Sequence, residues 1–140
     1  MAPEIADLAD SLSTRDVEAR VALESSQAHE SLSRAFRRAV AGVTPTLVAV
    51  ASSGTVAVGP SGRNGGLLAA LPPQHVAIVH ERDIRDSLAE ALPVVVERSA
   101  GSEGEAVLIT GPSRTADIEM MSVLGVHGPL RLDIVVVLED

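Results

Sequence analysis

Aromatic residues and cysteine are nearly or wholly missing from this sequence, and each absence removes a class of function. Phe36 is the only aromatic residue, and none of the 140 residues is cysteine. The chain therefore offers almost no aromatic side chain on which a base or a sugar ring could stack. Without cysteine, the chain cannot itself form a disulfide, a thiolate metal site or an iron–sulfur cluster.

Positive charge and long apolar runs are also scarce. Eleven basic residues stand against nineteen acidic ones, which gives a formal net charge of −8. Nucleic acids and anionic membranes are disfavoured as partners, because binding phosphate requires clustered cations. There is no signal-peptide pattern, and no apolar run approaches the roughly 18 residues of a membrane span. We therefore expect a cytoplasmic protein that binds neither nucleic acid nor membrane.

What is present is an aliphatic core, since 46% of the residues are hydrophobic. Residues 1–42 are predicted to form a helical segment, because apolar residues recur at helical spacing from Val17 to Val40 and Gly42 suits a C-terminal cap. This segment is expected either to cover a sheet or to contact a second copy or a partner. Residues 43–140 are predicted to form a separate α/β domain.

In residues 43–140, short β-branched runs alternate with helix-like segments. The stretch "TLVAVASSGTVAV" predicts two strands joined at Ser52–Gly54, and "HVAIV", "PVVVER", "AVLIT" and "LDIVVVL" predict further strands. The segment "ERDIRDSLAEAL" predicts an amphipathic helix with Ile84, Leu88 and Leu92 on one side. Strands of this kind, without regular polar positions, indicate a mostly parallel sheet with flanking helices.

Two loops are candidates for the ligand site that open α/β sheets form beyond the carboxyl ends of their strands. The first, Gly59–Gly66, contains four glycines and Arg63, which suit either a plain turn or a cradle for an anion. The second runs from Thr110 to Glu119, and we expect a helix to begin near Ser113 or Thr115. That helix start either carries ordinary capping residues or offers unpaired N–H groups to an anion.

The histidines and hydroxyl groups give weaker signals. His127 lies in the tight turn "GVHGP", where it suits a general acid or base, or a hydrogen bond within its own loop. His29, His75 and His80 are interpreted as structural. No spacing among the histidines indicates a metal site, and no Gly-x-Ser-x-Gly elbow indicates a serine hydrolase.

Several uncommon segments occur together in an order that resembles the LUD-domain family, which includes the lactate utilization protein C type. They are "GVTPTLVAVASSGTVAV", "GRNGGLLAALPPQHVAIV", "TGPSRTADIE" and "VLGVHGP", and the resemblance covers about residues 42–138. It implies a fold like that of the phosphosugar-isomerase and CoA-transferase group. It also implies a role in the oxidation of L-lactate to pyruvate together with iron–sulfur partner proteins. We expect no cofactor in this chain itself.

The resemblance also selects candidate site residues. Ligand-binding positions are Gly54, Thr55, Arg63, Gly111, Ser113, Arg114 and Thr115, and catalytic positions are Asp117, Glu119 and His127. The expected ligand is a small anionic metabolite.

Two departures from the family pattern bear on this expectation. Ser52 stands where the family commonly has a glutamate, so a carboxylate suited to acid–base chemistry is missing. Residues 1–42 stand where relatives usually carry another α/β portion, so a truncated sheet is expected to dimerise to cover its edge. Three hypotheses follow: an accessory or anion-binding subunit, an isomerase- or transferase-like enzyme, and a non-catalytic interaction module.

Overall fold

The computed structural model describes Ser11 and residues 38–59, 65–102, 105–112, 114–116, 122–124 and 128–139. Of the predicted helical segment, residues 1–42, it describes Ser11 and residues 38–42, and the last two of these lie in a strand. The helix across residues 12–37 stays a prediction. The elements, in chain order, are β1 (Ala41–Pro45), β2 (Val48–Val50), β3 (Thr55–Val58), α1 (Gly65–Ala70), β4 (Gln74–His80), a 3-10 helix (Glu81–Asp83), β5 (Ile84–Arg85), α2 (Leu88–Ser99), β6 (Val107–Thr110), β7 (Arg114–Ala116), β8 (Ser122–Leu124) and β9 (Arg131–Val137).

Three strands, in the order β1-β4-β9, form what we call the parallel sheet, because every neighbouring pair in it runs in the same direction. In β4 the residues alternate between buried and half-buried positions. Its inner face carries His75, Ala77 and Val79, and all three are fully buried. The outer strand β9 is more open, and Ile134 and Val136 remain exposed.

Four strands, in the order β5-β2-β3-β6, form what we call the mixed sheet. Strand β3 runs antiparallel to both of its neighbours, whereas β2 and β5 are parallel. It follows that β2, β5 and β6 all run in one direction. Their carboxyl ends therefore lie at one edge of the sheet, together with the amino end of β3.

The mixed sheet is buried on both faces, which explains why β2 and β3 consist of buried residues throughout. On one face Val48, Val50 and Ala57 pack against Ala91 and Val95 of α2. On the other face a second cluster, formed by Ala49, Val56, Ala77 and Val79, joins the mixed sheet to the parallel sheet. Burying each valine side chain stabilises the fold by roughly 1.5–3 kcal/mol.

Gly42 lies within strand β1, so the prediction that it caps the preceding helix is wrong. A Cβ atom at this position would lie 2.1 Å from the backbone oxygen of Leu68 in α1. The glycine is therefore required by the close approach of α1 to the parallel sheet, because any side chain there would meet backbone that has no room to move.

The helix predicted over residues 81–92 begins later than expected. Glu81–Asp83 form a 3-10 turn and Ile84 enters strand β5, while α2 starts only at Leu88. Leu88 and Leu92 are partly exposed, and the buried positions are instead Ala91 and Val95. The sequence Ser87-Leu88-Ala89-Glu90 has the spacing of a capping box, a signal that would have placed this helix start.

The segment "PVVVER" was predicted to be a strand, and this prediction is also wrong. Residues 93–98 lie in α2, which includes Pro93. The β-branched residues favour a strand locally, but Ala91 and Val95 are four residues apart and face the mixed sheet together. The guanidinium group of Arg98, near the end of the helix, donates to the Oδ1 of Asp83 at 2.6 Å and to the carbonyl oxygen of Leu47. These contacts fix the end of α2 against the mixed sheet.

A helix was expected near Ser113 or Thr115, but the structure has a strand there. Arg114–Ala116 form β7, which pairs antiparallel with Ser122–Leu124. Cross-strand pairing with a segment farther along the chain has replaced the local helix that the capping residues favoured. The structure describes neither Ser113 nor residues 117–121.

The α/β class with mostly parallel strands and few helices is confirmed. All three strands of the parallel sheet run in one direction, and three of the four strands of the mixed sheet share one direction. In the described part of the chain, no helix has both the length and the apolar character needed to cross a membrane.

Candidate ligand site at the strand ends

The turn between β2 and β3 lies at the edge where β2, β5 and β6 end. Its conformation is fixed by the backbone: the N–H of Gly54 donates to the carbonyl of Val50 at 2.9 Å. The N–H of Ala51 donates to the carbonyl of Arg85 at 2.8 Å, which ties the turn to the end of β5. These two hydrogen bonds hold the turn to the ends of β2 and β5.

Three hydroxyl groups form a hydrogen-bonded chain at this edge. The Oγ1 of Thr55 lies 2.7 Å from the Oγ of Ser53 and 2.7 Å from the Oγ1 of Thr110. Thr55 is 6% exposed, whereas Ser53 and Thr110 are exposed. We refer to Ser53, Thr55 and Thr110 as the hydroxyl chain.

In each hydrogen bond of the hydroxyl chain either hydroxyl can be the donor, so the chain can donate toward Ser53 or toward Thr110. Each hydroxyl carries one proton, so two internal hydrogen bonds use two of the three protons. For the buried Thr55 to donate and accept within the chain, the remaining proton must lie on Ser53 or on Thr110. An acceptor atom placed beside either end would therefore fix the orientation of all three groups.

Gly54 and Gly111 both adopt positive φ angles, of 64° and 74° respectively. A Cβ atom at either position would meet no atom of the described residues within 4 Å, so no described neighbour requires either glycine. Their shared feature is the left-handed backbone that turns the chain out of β2 and out of β6. Both turns open the edge of the sheet to solvent.

A cleft of about 340 Å³ lies beside this edge. It runs along β6 from Val107 to Thr110 and continues past Gly111 and Pro112. Its other described walls are small residues of α1 and the segment before β9: Gly66, Ala69, Ala70, Gly128 and Pro129. Its volume falls within the range of roughly 300–1,000 Å³ that is common for small-molecule sites.

A second buried polar pair lies in the interior of the parallel sheet. The Nε2 atom of His75 lies 2.8 Å from the Oγ1 of Thr44, and His75 is 0% exposed. Among the described residues, none hydrogen-bonds its Nδ1 atom. Burial lowers the pKa of His75 below its ordinary value of 6.5, because the charged imidazolium would lose its hydration. The geometry agrees with a structural role for this histidine.

Comparison with known proteins decides the family. A model of the LUD domain matches residues 4–137 of the chain. The chain belongs to the LUD domain family.

Several curated relatives of this LUD domain protein are named Lactate utilization protein C. The chain is 35% identical over 113 residues to Lactate utilization protein C of Bacillus licheniformis, a match that covers 77% of this chain and 46% of that protein. It is 37% identical over 103 residues to Lactate utilization protein C of Macrococcus caseolyticus, covering 71% and 45%. The chain therefore spans about half the length of the curated relatives it matches.

The fold of this LUD domain protein also resembles a solved structure. A DUF162 family protein from Deinococcus radiodurans superposes with a TM-score of 0.56 at 27% sequence identity. The alignment covers 76% of this chain and 58% of the other.

The structure of the LUD domain protein describes only part of the predicted site. Gly54, Thr55 and Gly111 lie together at the strand ends, as described above. Arg114 and Thr115 lie in β7, where their backbones pair with Leu124 and Val123. The remaining predicted residues lie outside the described ones: Arg63, Ser113, Asp117, Glu119 and His127. That their side chains share the same hollow stays a prediction.

Sequence reasoning did not select Ser53 and Thr110, although both contact Thr55. No local signal marks this contact, because it depends on the register in which β3 pairs with β6, with Thr55 opposite Thr110. The available clue was that Thr110 opens the motif "TGPSRTADIE" and Ser53 precedes the Gly-Thr pair of the first motif. In the described part of the LUD domain protein, no group of three or more acidic or histidine residues could hold a metal ion.

Proposed function

We propose that this LUD domain protein binds a small anionic metabolite at the carboxyl ends of β2, β5 and β6, as an accessory subunit of lactate utilization. The observation that carries the proposal is the hydroxyl chain beside the 340 Å³ cleft, where two family motifs that are 55 residues apart are in contact. The curated relatives named Lactate utilization protein C support L-lactate or pyruvate as the first ligands to test.

The anion requires positive charge that the hydroxyl chain cannot supply, since the protein as a whole is acidic. In this proposal Arg63 and Arg114 provide that charge, and the backbone N–H groups of Gly111 and Ser113 donate hydrogen bonds. His127 donates or accepts a proton, and Asp117 and Glu119 are the carboxylates available to orient it. Guanidinium groups suit this task because they bind a carboxylate through two parallel hydrogen bonds.

The oxidation of lactate to pyruvate releases two electrons, which require an acceptor. This chain contains no cysteine, so it cannot carry an iron–sulfur cluster. The proposal therefore assigns electron transfer to iron–sulfur partner proteins and keeps only ligand binding, or positioning, for this chain.

Isothermal titration calorimetry tests the proposal, with L-lactate, pyruvate, phosphosugars and nucleotides each titrated at millimolar concentration. We expect heat of binding for lactate or pyruvate, and we expect Arg63→Met and Arg114→Met each to weaken it at least tenfold. Arg131→Met is the matched control, because Arg131 is exposed on the parallel sheet and pairs with Asp133. An absence of binding by the wild-type protein to all four classes of compound would overturn the proposal.

A further inference from the structure

Strand β9 leaves its central residues exposed on both faces of the parallel sheet. On the inner face, Ile134 and Val136 are 41% and 43% exposed, although the residues of β4 that pair with them are fully buried. Val135 points to the opposite face, because side chains alternate along a strand, and it is 47% exposed. A helix laid on one face would cover only one of these two groups. A further strand beside β9 would cover both.

The outer edge of β9 is open to such a strand. In the order β1-β4-β9, the described part of the chain places a neighbouring strand on only one side of β9. Edge strands of natural proteins usually carry a charge or a proline near their centre, which prevents pairing with another chain. From Ile134 to Val137 the strand has neither. Strand β9 therefore has the character of a pairing edge, whereas β1, against which α1 packs at Gly42, does not.

A second copy of the chain fits this edge. Identical strands related by a two-fold axis pair antiparallel, and an axis that passes through Val135 keeps each face of the sheet continuous. The apolar residues then oppose one another across the axis: Val135 with itself, Ile134 with Val136, and Leu132 with Leu138. Leu138 is 73% exposed in the single chain, so it also gains an apolar neighbour. Pairing in this register would cover the exposed side chains on both faces of β9.

The charges at the two ends of β9 select this register. With the axis at Val135, Arg131 of each copy lies opposite Glu139 of the other. Both side chains are exposed, although each has an ion-pair partner within its own chain, Asp133 and Arg82 respectively. An axis one residue closer to the carboxyl end would place Asp133 opposite Glu139, and like charges directly opposite each other are destabilising. An axis one residue closer to the amino end would leave Arg131 without an opposite charge across the strands. Since exposed ion pairs contribute little energy, these charges fix the register, and the apolar centre supplies the affinity.

We propose that this chain forms a two-fold symmetric dimer through β9, with Val135 on the axis, so that the two three-stranded parallel sheets become one six-stranded sheet. The proposal assigns to a particular strand the dimer that the sequence predicts, and it is independent of the proposed ligand. Pairing along residues 131–139 alone gives a smaller interface than the roughly 1,600 Å² of a standard protein complex. The dimer should therefore dissociate on dilution.

Sedimentation equilibrium of the full chain tests this proposal. The mass of the wild-type protein should rise from that of one chain to twice that value as the concentration increases to the millimolar range. Val135→Lys, which places two like charges at the axis, should raise the dissociation constant of the dimer at least tenfold. Val96→Lys is the matched control, because Val96 is an exposed valine of α2, and it should leave that constant unchanged. A wild-type protein that stays monomeric at millimolar concentration, or equal dissociation constants in the two variants, would overturn the proposal.

Single cysteines test the register without adding charge, because the chain has no cysteine of its own. In the Val135→Cys dimer the two Cβ atoms would lie about 4.5–5.5 Å apart, so mild oxidation should form an intermolecular disulfide with little backbone movement. Ile134→Cys is the matched control: its two copies would be diagonal neighbours about 7–8 Å apart, and the disulfide should form at least tenfold more slowly. Equal rates in the two variants would overturn the register. If neither variant forms a disulfide, the contact through β9 is wrong.

Discussion

Thr44 in the parallel sheet and Thr55 in the mixed sheet have nearly the same local chemistry but different surroundings. Both are buried threonines whose hydroxyl groups bond another side chain, at 2.8 Å for Thr44 and 2.7 Å for Thr55. The partner of Thr44 is His75, which is sealed from solvent. The partners of Thr55 are Ser53 and Thr110, which are exposed at the strand ends.

This difference shows that the position of a polar pair, and not its hydrogen bonding, decides whether it is available to a ligand. A pair whose side chains are buried within the packed interior is closed to solvent, so it can only contribute to structure. A pair at the end of a sheet has neighbours on fewer sides, and its outer groups can exchange water for a ligand. The same contrast predicts how each region responds to substitution.

The largest effect is expected where the parallel sheet is most closely packed. Gly42→Ala should lower the free energy of unfolding by about 3 kcal/mol, because the added Cβ would overlap the backbone oxygen of Leu68. Urea unfolding followed by circular dichroism measures this change. Gly54→Ala at the open edge is the matched control, and it should cost only about 1 kcal/mol, because only its positive φ angle is strained. Equal losses in the two variants would contradict the proposed difference in packing.

The two threonines provide the next test. Thr44→Val should lower the free energy of unfolding by about 2 kcal/mol, because it removes the one hydrogen bond that the described part of the chain makes to the ring of the buried His75. Thr55→Val should cost about 1 kcal/mol, since Ser53 and Thr110 can both bond water instead. Thermal unfolding of both variants at one pH decides the order. If Thr55→Val proved the more destabilising change, the hydroxyl chain would be a structural feature of the core.

Acid should destabilise the interior of the parallel sheet through His75. The folded-state pKa of His75 is lowered, so below pH 6.5 the unfolded chain binds a proton that the folded chain does not. Stability from this group is fully present above pH 6.5 and falls as the pH decreases toward the folded-state pKa, by at most about 1.4 kcal/mol per pH unit. Urea unfolding between pH 5 and pH 7.5 measures the slope.

His75→Gln is the comparison for this measurement, because glutamine does not titrate. The difference in stability between wild type and His75→Gln should therefore change with pH below 6.5 and stay constant above it. A constant difference over the whole range would mean that His75 gains a proton as readily in the folded protein as in the unfolded chain.

The smallest effect is expected on the exposed face of the parallel sheet. Hydrogen bonds from Arg131 and then from Gln74 hold the pKa of Asp133 below its ordinary value. Arg131→Ala should raise this pKa more than Gln74→Ala does, because Arg131 is the larger cause. Titration of the Asp133 carboxyl carbon by NMR measures both shifts. Unfolding free energies at pH 7 should hardly change in either variant, since surface ion pairs contribute little.

Much of the fold could be predicted from the sequence, because several signals are local. The hinge at Ser52–Gly54 follows from a glycine between two apolar runs, and β4 follows from the alternating run that ends at His80. The errors fall where local preference and tertiary contact disagree. Residues 93–98 are β-branched but are helical, because Ala91 and Val95 share a face that packs on the mixed sheet.

The candidate site was only partly predictable for the same reason. Family motifs led to Gly54, Thr55 and Gly111, which the structure places at one edge. The contact between Thr55 and Thr110 depends on strand register, and register is set by how two distant strands pair.

The sequence by itself determined the aliphatic core, the lack of any cluster-binding cysteine, the α/β class and the family. Each of these depends on composition or on patterns within a few residues, which a linear chain displays directly. Only the tertiary structure decided that Ser53, Thr55 and Thr110 are in contact, that His75 is enclosed and that Gly42 must be a glycine. Each of those depends on which distant backbone lies within a few ångströms, and that is fixed only when the sheets and helices pack together.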